Sequence, residues 1–399
     1  MVFNTSSRIL KESHGFLLRN IKVEPVKNYT YLGITFSLNG SFKVAISQLT
    51  SKARRAFFQI QRTVVTEALS IKSLLILFDS LIKPIITYAS QVWLPNTNTG
   101  KSWVNFHQSD AQTTLIQSSA IDCFERLHLK FLKWCLGVHS KASNLGCYGD
   151  IGRMPLGISV IQTSLKYFRR VAVMSANQPE SLVGKAFLEQ QHLNLDWFKT
   201  WKSVEGQSDN NSQAKGQLFF EEMFRIEWNN KRKTQSKLSF YNDIKPQFGY
   251  EPYLEIRNSS RRKNLARFRI SAHDLNIEQG RYSTKGSVPT ITDRICRFCC
   301  CEEDKTYIDL FQAILPDFNP IIESEQHVLT ECPGYHHLRI NLSDDLKCQL
   351  MQCNYMEMFY NPIMAKELGS YLANCFLLRN PKGKVAKKKK KKRSTRKKK

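Results

Sequence analysis

The chain has 399 residues, 42% of them apolar, which is enough for two or three modest domains with real cores. Its formal net charge is +25; residues 381–399 hold 13 Lys or Arg and no acid, leaving +12 for the other 380 residues. A body and tail this basic favour a polyanion, nucleic acid first, and disfavour a membrane surface, because no basic helix with a strong apolar face accompanies the tail.

The first residues, Met1-Val2-Phe3-Asn4-Thr5, show no charged segment followed by an apolar run, so no secretory leader is expected. Residues 2–3 and 15–26 predict short strands, and residues 29–36, rich in aromatic and β-branched side chains, predict a stronger one. Asn39-Gly40 is a turn signal, and Ser41 stands where a helix N-cap belongs. Apolar residues then recur at Ile46, Leu49, Ala53, Phe57, Ile60 and Val64, a helical stripe interspersed with Lys43, Lys52, Arg54, Arg55 and Arg62. A second helix is expected over 71–83, stopping near Pro84. The apolar stretch 74–93 includes Asp79, Lys83 and Pro84, which excludes a bilayer span.

Helices are expected at 121–138, closed by Gly137, and at 157–174. Residues 204–216 are polar and turn-rich and read as a linker; 217–229 look helical, and 258–276 are basic and mixed. Residues 338–376 predict one or two helices broken near Pro362. The Lys/Arg-rich end has nothing apolar to bury and is expected to be disordered.

Eleven cysteines, an odd number, most of them scattered singly, exclude a disulfide framework and suit a reduced, intracellular chain. The exception is a cluster. Cys296-x2-Cys299 puts two thiolates on one tight turn, and His327-x4-Cys332 adds an imidazole and a third thiolate. Four such ligands suit a tetrahedral, structural Zn²⁺. The 27-residue gap between the halves is long, and Cys300, Cys301, His336 and His337 are rival ligands. Just before the cluster lie Arg257, Arg261, Arg262, Lys263, Arg267, Arg269, His273 and Arg281, interleaved with Phe268 and Tyr282, a mixture suited to phosphate contact and base stacking. The Asp344-Asp345 pair lies where a surface helix should start and is assigned no catalysis. No phosphate-binding Gly-rich loop or nucleophile elbow is present, and His14, His107, His128 and His139 lack convincing partners in the sequence.

Several blocks, in order, resemble one family. Tyr29-Thr30-Tyr31-Leu32-Gly33-Ile34 resembles the Y-x-Y-L-G-I signature of reverse transcriptases from LINE-type non-LTR retrotransposons, with Met1-Val2-Phe3 resembling the strand before it. Leu77-Phe78-Asp79-Ser80-Leu81-Ile82-Lys83-Pro84, with Tyr88, Ala89 and Trp93, is similar to the family's thumb segment, and Phe124–Lys133 with Leu136-Gly137-Val138 to a later helix. Arg267-Phe268-Arg269 with His273, Leu275, Glu278, Gly280, Arg281 and Tyr282 resembles the run before the family's zinc knuckle. Glu325, His327, Cys332-Pro333, Tyr335 and Arg339 resemble the knuckle's close, although 308–323 expand its centre.

The resemblance implies an α+β, mainly helical chain. Its parts would be a palm remnant with a primer-grip hairpin (1–40), thumb helices (41–100), a helical connector (101–203), the linker (204–216), a basic segment with a Cys-Cys-His-Cys knuckle (217–379) and the tail (380–399). It implies that Tyr31, Leu32 and Gly33 approach a primer end and that Lys52, Arg54 and Arg55 touch backbone phosphates. Arg261, Arg262, Lys263, Arg267, Arg269, His273 and Arg281 would then bind element RNA or target DNA, as for target-primed reverse transcription. The metal-binding carboxylates and their Mg²⁺ would lie before Met1, so no polymerisation is expected of this chain alone. A free-standing zinc-dependent RNA- or DNA-binding protein derived from such an element is the alternative. The expected location is nuclear and cytoplasmic, with the poly-Lys tail as an import signal.

Overall fold

The computed structural model describes residues 16–23, 26–64, 69–94, 119–208, 213–282, 294–299 and 321–379. They are mainly helical, with two small antiparallel two-stranded sheets. The chain folds as two units. The first is Met1–Val65, Lys72–Phe131 and Met154–Glu227; the second is Thr66–Ile71, Leu132–Arg153 and Trp228–Lys399.

In the first unit, β1 (Phe16–Leu18) pairs with β2 (Ile21–Val23), and β3 (Asn28–Tyr31) with β4 (Ile34–Ser37). The single strand expected over 29–36 is therefore a hairpin. Its two-residue loop is Leu32 (φ 47°) and Gly33 (φ 80°), the left-handed pair that lets a tight turn match the twist of its strands. A run of β-formers does not reveal by itself where it folds back, and only Gly33 marks the place. Every residue of β3 is exposed, whereas Ile34, Thr35 and Ser37 of β4 are buried.

Helix α1 (Lys43–Thr63) begins two residues after Ser41. Ser41 does not hold the N-cap position, which falls to Phe42, but its hydroxyl oxygen accepts from the Lys43 amide at 3.3 Å. The helical stripe is real: Ile46, Leu49, Ala53, Phe57 and Ile60 are buried. Thr35 of β4 donates to the Gln48 side chain at 2.7 Å, which joins hairpin to helix.

The next helix stops just before Pro84, as expected. Helix α2 is Ile71–Leu81, and Pro84 opens a short α3 (Lys83–Thr87) in the first turn, where a missing N–H costs nothing. Leu74, Phe78, Ile82 and Ile86 stay fully buried through the break. Phe131 of the helix Ser119–Leu136 meets Phe57 at 5.6 Å and Phe78 at 4.8 Å. His128 is buried against Phe78, and its Nδ1 lies 2.8 Å from Glu125. The other Glu125 oxygen accepts from the Leu156 amide at 2.7 Å and so caps the helix Leu156–Asn177, whose N-cap, Pro155, has no side chain able to do it. His128 thus has a structural role.

Of the expected linker 204–216, residues 209–212 lie outside the described residues. Residues 204–208 end the helix Asp196–Ser208, and 213–216 begin the helix Gln213–Thr234. Aromatic residues flanking the polar stretch, such as buried Trp201 and Phe220, hold its ends in helices.

In the second unit, residues 132–153 join the chain from 228 onward. Trp228 donates to the Leu145 carbonyl at 2.8 Å, and Tyr253 donates to Asp150 at 2.7 Å. The basic segment contains the helix Ser259–Arg269, capped by Asn258, whose side-chain oxygen accepts from the amides of Ser260 and Arg261. This helix packs on the last described one, Pro362–Arg379. Pro362 starts that helix. Residues 338–376 hold the end of the short helix His336–Arg339 and three further helices, Asp344–Met351, Tyr355–Tyr360 and Pro362–Arg379, more than the one or two expected. Asp344 opens a helix on the surface, as expected, behind the Ser343 cap. The described cysteines are all unbridged, and no described helix is long and apolar enough to cross a membrane. Residues 1–15 and the basic tail from 380 lie outside the described residues.

Candidate metal centre

Cys296, Cys299, His327 and Cys332 converge, with one donor atom from each lying within 4.8 Å of all the others. The two halves are tied together by backbone. Ile295 and Ile322 form an antiparallel bridge, the Cys296 amide donates to the Ile321 carbonyl at 2.8 Å, and the Glu323 amide donates to the Arg294 carbonyl at 2.9 Å. Cys296 and Cys299 flank a turn. His327–Glu331 forms one π-helical turn, in which the Cys332 amide donates to the His327 carbonyl at 2.9 Å. That wide turn brings the imidazole and the third thiol to one side of the chain. Turns of this kind recur at functional sites.

Cys296 Sγ lies 3.7 Å from Cys332 Sγ, Cys299 Sγ lies 3.8 Å from Cys332 Sγ, and Cys299 Sγ lies 3.2 Å from His327 Nε2. A disulfide would need about 2.0 Å between sulfurs. A tetrahedron with Zn–S bonds of about 2.3 Å has edges of about 3.8 Å, which is the sulfur spacing found here. The cluster could therefore hold a metal ion such as zinc. Cys296 and Cys332 are fully buried, and His327 nearly so. Contact with the Cys332 thiol is the main influence on Cys296 and pulls it down to about 3, while the same contact pushes Cys332 up. A cation bound here would displace the thiol protons.

The surroundings brace the cluster. Gly334 lies where a Cβ would come within 2.7 Å of Phe298, so only glycine allows the Cys332–Tyr335 turn to press on the Cys296–Cys299 turn. Phe298 and Tyr335 meet edge to face at 5.0 Å. Arg339 donates to the Cys332 carbonyl at 2.5 Å and to the Val328 carbonyl at 3.3 Å. Buried Glu323 pairs with Arg379 and accepts from the Asn276 amide at 2.7 Å. Glu325 accepts from Ser271 at 2.5 Å and lies 2.9 Å from His273. Burial alone would raise the Glu325 carboxyl, but His273 and Ser271 hold it below the usual range.

Two of the rival ligands drop out among the described residues: His336 and His337 are exposed and outside the cluster. Cys300 and Cys301 lie outside the described residues. One contributor was missed from sequence. Glu331 Oε2 lies 3.1 Å from His327 Nδ1, the nitrogen turned away from the cluster. The i, i+4 spacing of His327 and Glu331 was the available signal. A carboxylate there fixes the imidazole's tautomer and orientation for a metal on Nε2. Glu331→Gln is expected to weaken zinc affinity roughly 10–100-fold. Competition with a chromophoric chelator measures this, and unchanged affinity would remove Glu331 from the site.

The residues expected to contact nucleic acid are divided. Tyr31 and Leu32 are exposed with Gly33 at the hairpin tip, where Tyr88 donates to the Leu32 carbonyl at 2.5 Å. Lys52, Arg54 and Arg55 are exposed on α1, outside its buried stripe. Arg261, Lys263, Arg267 and Arg281 keep some exposure. Three residues of the set do not fit a phosphate-contacting surface. Arg262 is 3% exposed and donates to the Ile256 carbonyl at 2.9 Å. Arg269 is fully buried between Asp150 and Glu251. His273 is 2% exposed and bonded to Glu325. Their charge reads as basic in sequence, but buried carboxylates and carbonyls from distant segments take it up.

Compared with protein-family models, curated proteins and solved structures, the chain shows no match.

Proposed function

We propose that the chain is a nucleic-acid-binding C-terminal part of a LINE-type reverse transcriptase, built around a structural zinc knuckle. The observation that carries the reading is the convergence of Cys296, Cys299, His327 and Cys332 at tetrahedral spacing. Four protein ligands leave a tetrahedral ion no open position, so the ion would hold the fold and perform no chemistry. The net charge of +25 and the exposed cations Lys52, Arg54, Arg55 and Arg267 supply the attraction for phosphates. The exposed Tyr31-Leu32-Gly33 tip is the element that would meet a primer end. RNA and DNA are the partners on this reading, and the nucleus and cytoplasm the location, with the Lys-rich tail as import signal. The alternative, a free-standing zinc-dependent RNA- or DNA-binding protein, uses the same surfaces without the polymerase.

No polymerisation is expected of this chain, since Asp344 and Asp345, the one Asp-Asp pair in the sequence, open a surface helix. Filter binding of the full chain to RNA should weaken steeply with salt, by several logarithmic units per tenfold increase. A flat salt dependence would overturn the nucleic-acid reading, and extension of a primed template would overturn the expectation of inactivity.

A further inference from the structure

Three stretches of the second unit, far apart in sequence, bring cations to one short loop, residues 137–142, at the end of the helix Ser119–Leu136. Lys133 donates from Nζ to the Ser140 carbonyl at 2.7 Å. Arg267 donates from Nε to the Gly137 carbonyl at 2.8 Å, and the Lys263 side chain lies against Gly137. Lys237 donates to the Lys141 carbonyl at 3.2 Å, and the Lys141 ammonium sits 4.2 Å above the Tyr282 ring. Arg281 donates to Ser236, next to Lys237, at 3.0 Å.

The plain explanation is that cations suit the negative end of a helix. It accounts for one or two of them, not six. Glu278 pairs with both Lys237 and Arg281, so a single buried carboxylate is shared between two of the six cations. Asp274 is a second acid near the loop, close enough to act on His139. Positive charge therefore remains in excess. Burial first, and then the Lys237 charge, hold Lys133 below the usual lysine range, which places these two cations close enough to repel. An arrangement that repels itself when alone gains most from an added polyanion. Lys133 and Arg267 each give one donor to a loop carbonyl, out of three for a lysine and five for an arginine, whereas Lys237 divides its three among the Lys141 carbonyl, Glu278 and the Tyr282 hydroxyl and adds only its charge.

We propose that Lys133, Lys141, Lys237, Lys263, Arg267 and Arg281 form one ridge around the 137–142 loop that binds the phosphodiester backbone of a nucleic acid. This deepens the nucleic-acid reading and rests on it. It also replaces the earlier picture of a contiguous basic segment. Lys263, Arg267 and Arg281 belong to the ridge, Arg262, Arg269 and His273 do not, and Lys133, Lys141 and Lys237 join from elsewhere in the chain. The contacts would be to backbone and not to base edges, giving affinity with little sequence preference.

The test uses the full chain loaded with zinc, single-stranded poly(U) and phosphatidylserine vesicles, across a salt series. The variant Lys141→Gln/Lys263→Gln/Arg267→Gln should bind poly(U) with a log–log salt slope shallower by about 2, and roughly a hundredfold more weakly at 0.1 M salt. If the triple variant fails to fold, Lys141→Gln alone, at an exposed position, should lower the slope by about 0.7 and the affinity about fivefold. An unchanged slope in a folded variant overturns the ridge and leaves the wider nucleic-acid reading standing. If the unaltered chain binds no poly(U) at any salt, both fall. Loss of vesicle binding with poly(U) binding retained also overturns the ridge, since the surface would then serve a membrane.

Discussion

Cys332→Ser is expected to release the metal and to remove most of the ~10 kcal/mol that a structural zinc site contributes to folding. The position concentrates the effect. The Cys332 sulfur lies at 3.7 and 3.8 Å from two other cluster sulfurs, so its loss opens two edges of the tetrahedron at once. Its carbonyl also accepts from Arg339, and the turn behind it presses on Phe298. Val328 and Leu329, between two of the cluster residues, are fully buried, and Phe298 meets Tyr335 edge to face beside them, so loss of the metal would be felt in the packing of this segment. Urea unfolding followed by circular dichroism, with and without a chelator, should show the variant behaving as the chelated chain does. A variant as stable as the zinc-loaded chain would show that the cluster does not hold the fold.

Arg269→Ala is expected to destabilise the second unit by about 3–5 kcal/mol, because it leaves the buried Asp150 carboxylate without its countercharge and Glu251 with Lys245 alone. Arg269 Nε and Nη2 donate to Asp150 at 3.1 and 3.2 Å, and Nη2 lies 2.8 Å from Glu251. Lys245 pairs with Glu251 from its other side, and the guanidinium lies 5.0 Å from the Phe359 ring centre and 5.1 Å from that of Tyr253. Removing the arginine leaves Asp150, which is fully buried, with neutral tyrosine hydroxyls, those of Tyr253 and Tyr241, as partners. The same variant separates two roles for this residue. A nucleic-acid ligand would change the salt dependence of RNA binding with little loss of stability. A buried brace lowers the urea midpoint and leaves the salt slope of the remaining folded protein where it was. The structure predicts the second outcome.

Both cases show which features the sequence carried. The four cluster residues were legible because thiols and an imidazole in such pairs suit one cation, although the long gap left Cys300, Cys301, His336 and His337 as rivals until the structure brought these four together. The stripe from Ile46 to Ile60 was legible because a helix repeats its buried face every three or four residues, and the structure buries those positions. Burial of charge was not legible. Arg267 and Arg269 stand two apart in one basic run, yet Arg267 is exposed and Arg269 is fully buried. The difference is made by Asp150 and Glu251, more than a hundred residues and some twenty residues away respectively, and no local pattern announces them. The ridge around residues 137–142 was hidden for the same reason, since three separated stretches supply it. The hairpin at Leu32-Gly33 was half-legible: composition pointed to a strand, the resemblance to a hairpin, and the turn has the left-handed backbone that glycine accepts at no steric cost. The breaks near Pro84 and Pro362 were legible, since helices end at Leu81 and Tyr360; that each proline then sits in the first turn of the following helix, where its fixed φ fits, was not.

The central claim is that Cys296, Cys299, His327 and Cys332 hold one zinc ion. Elemental analysis of the purified full chain after exhaustive dialysis tests it most directly. One zinc per chain is predicted, falling to none in the Cys296→Ser/Cys332→Ser double variant. No zinc in the unaltered chain, or one zinc retained by the double variant, would contradict it.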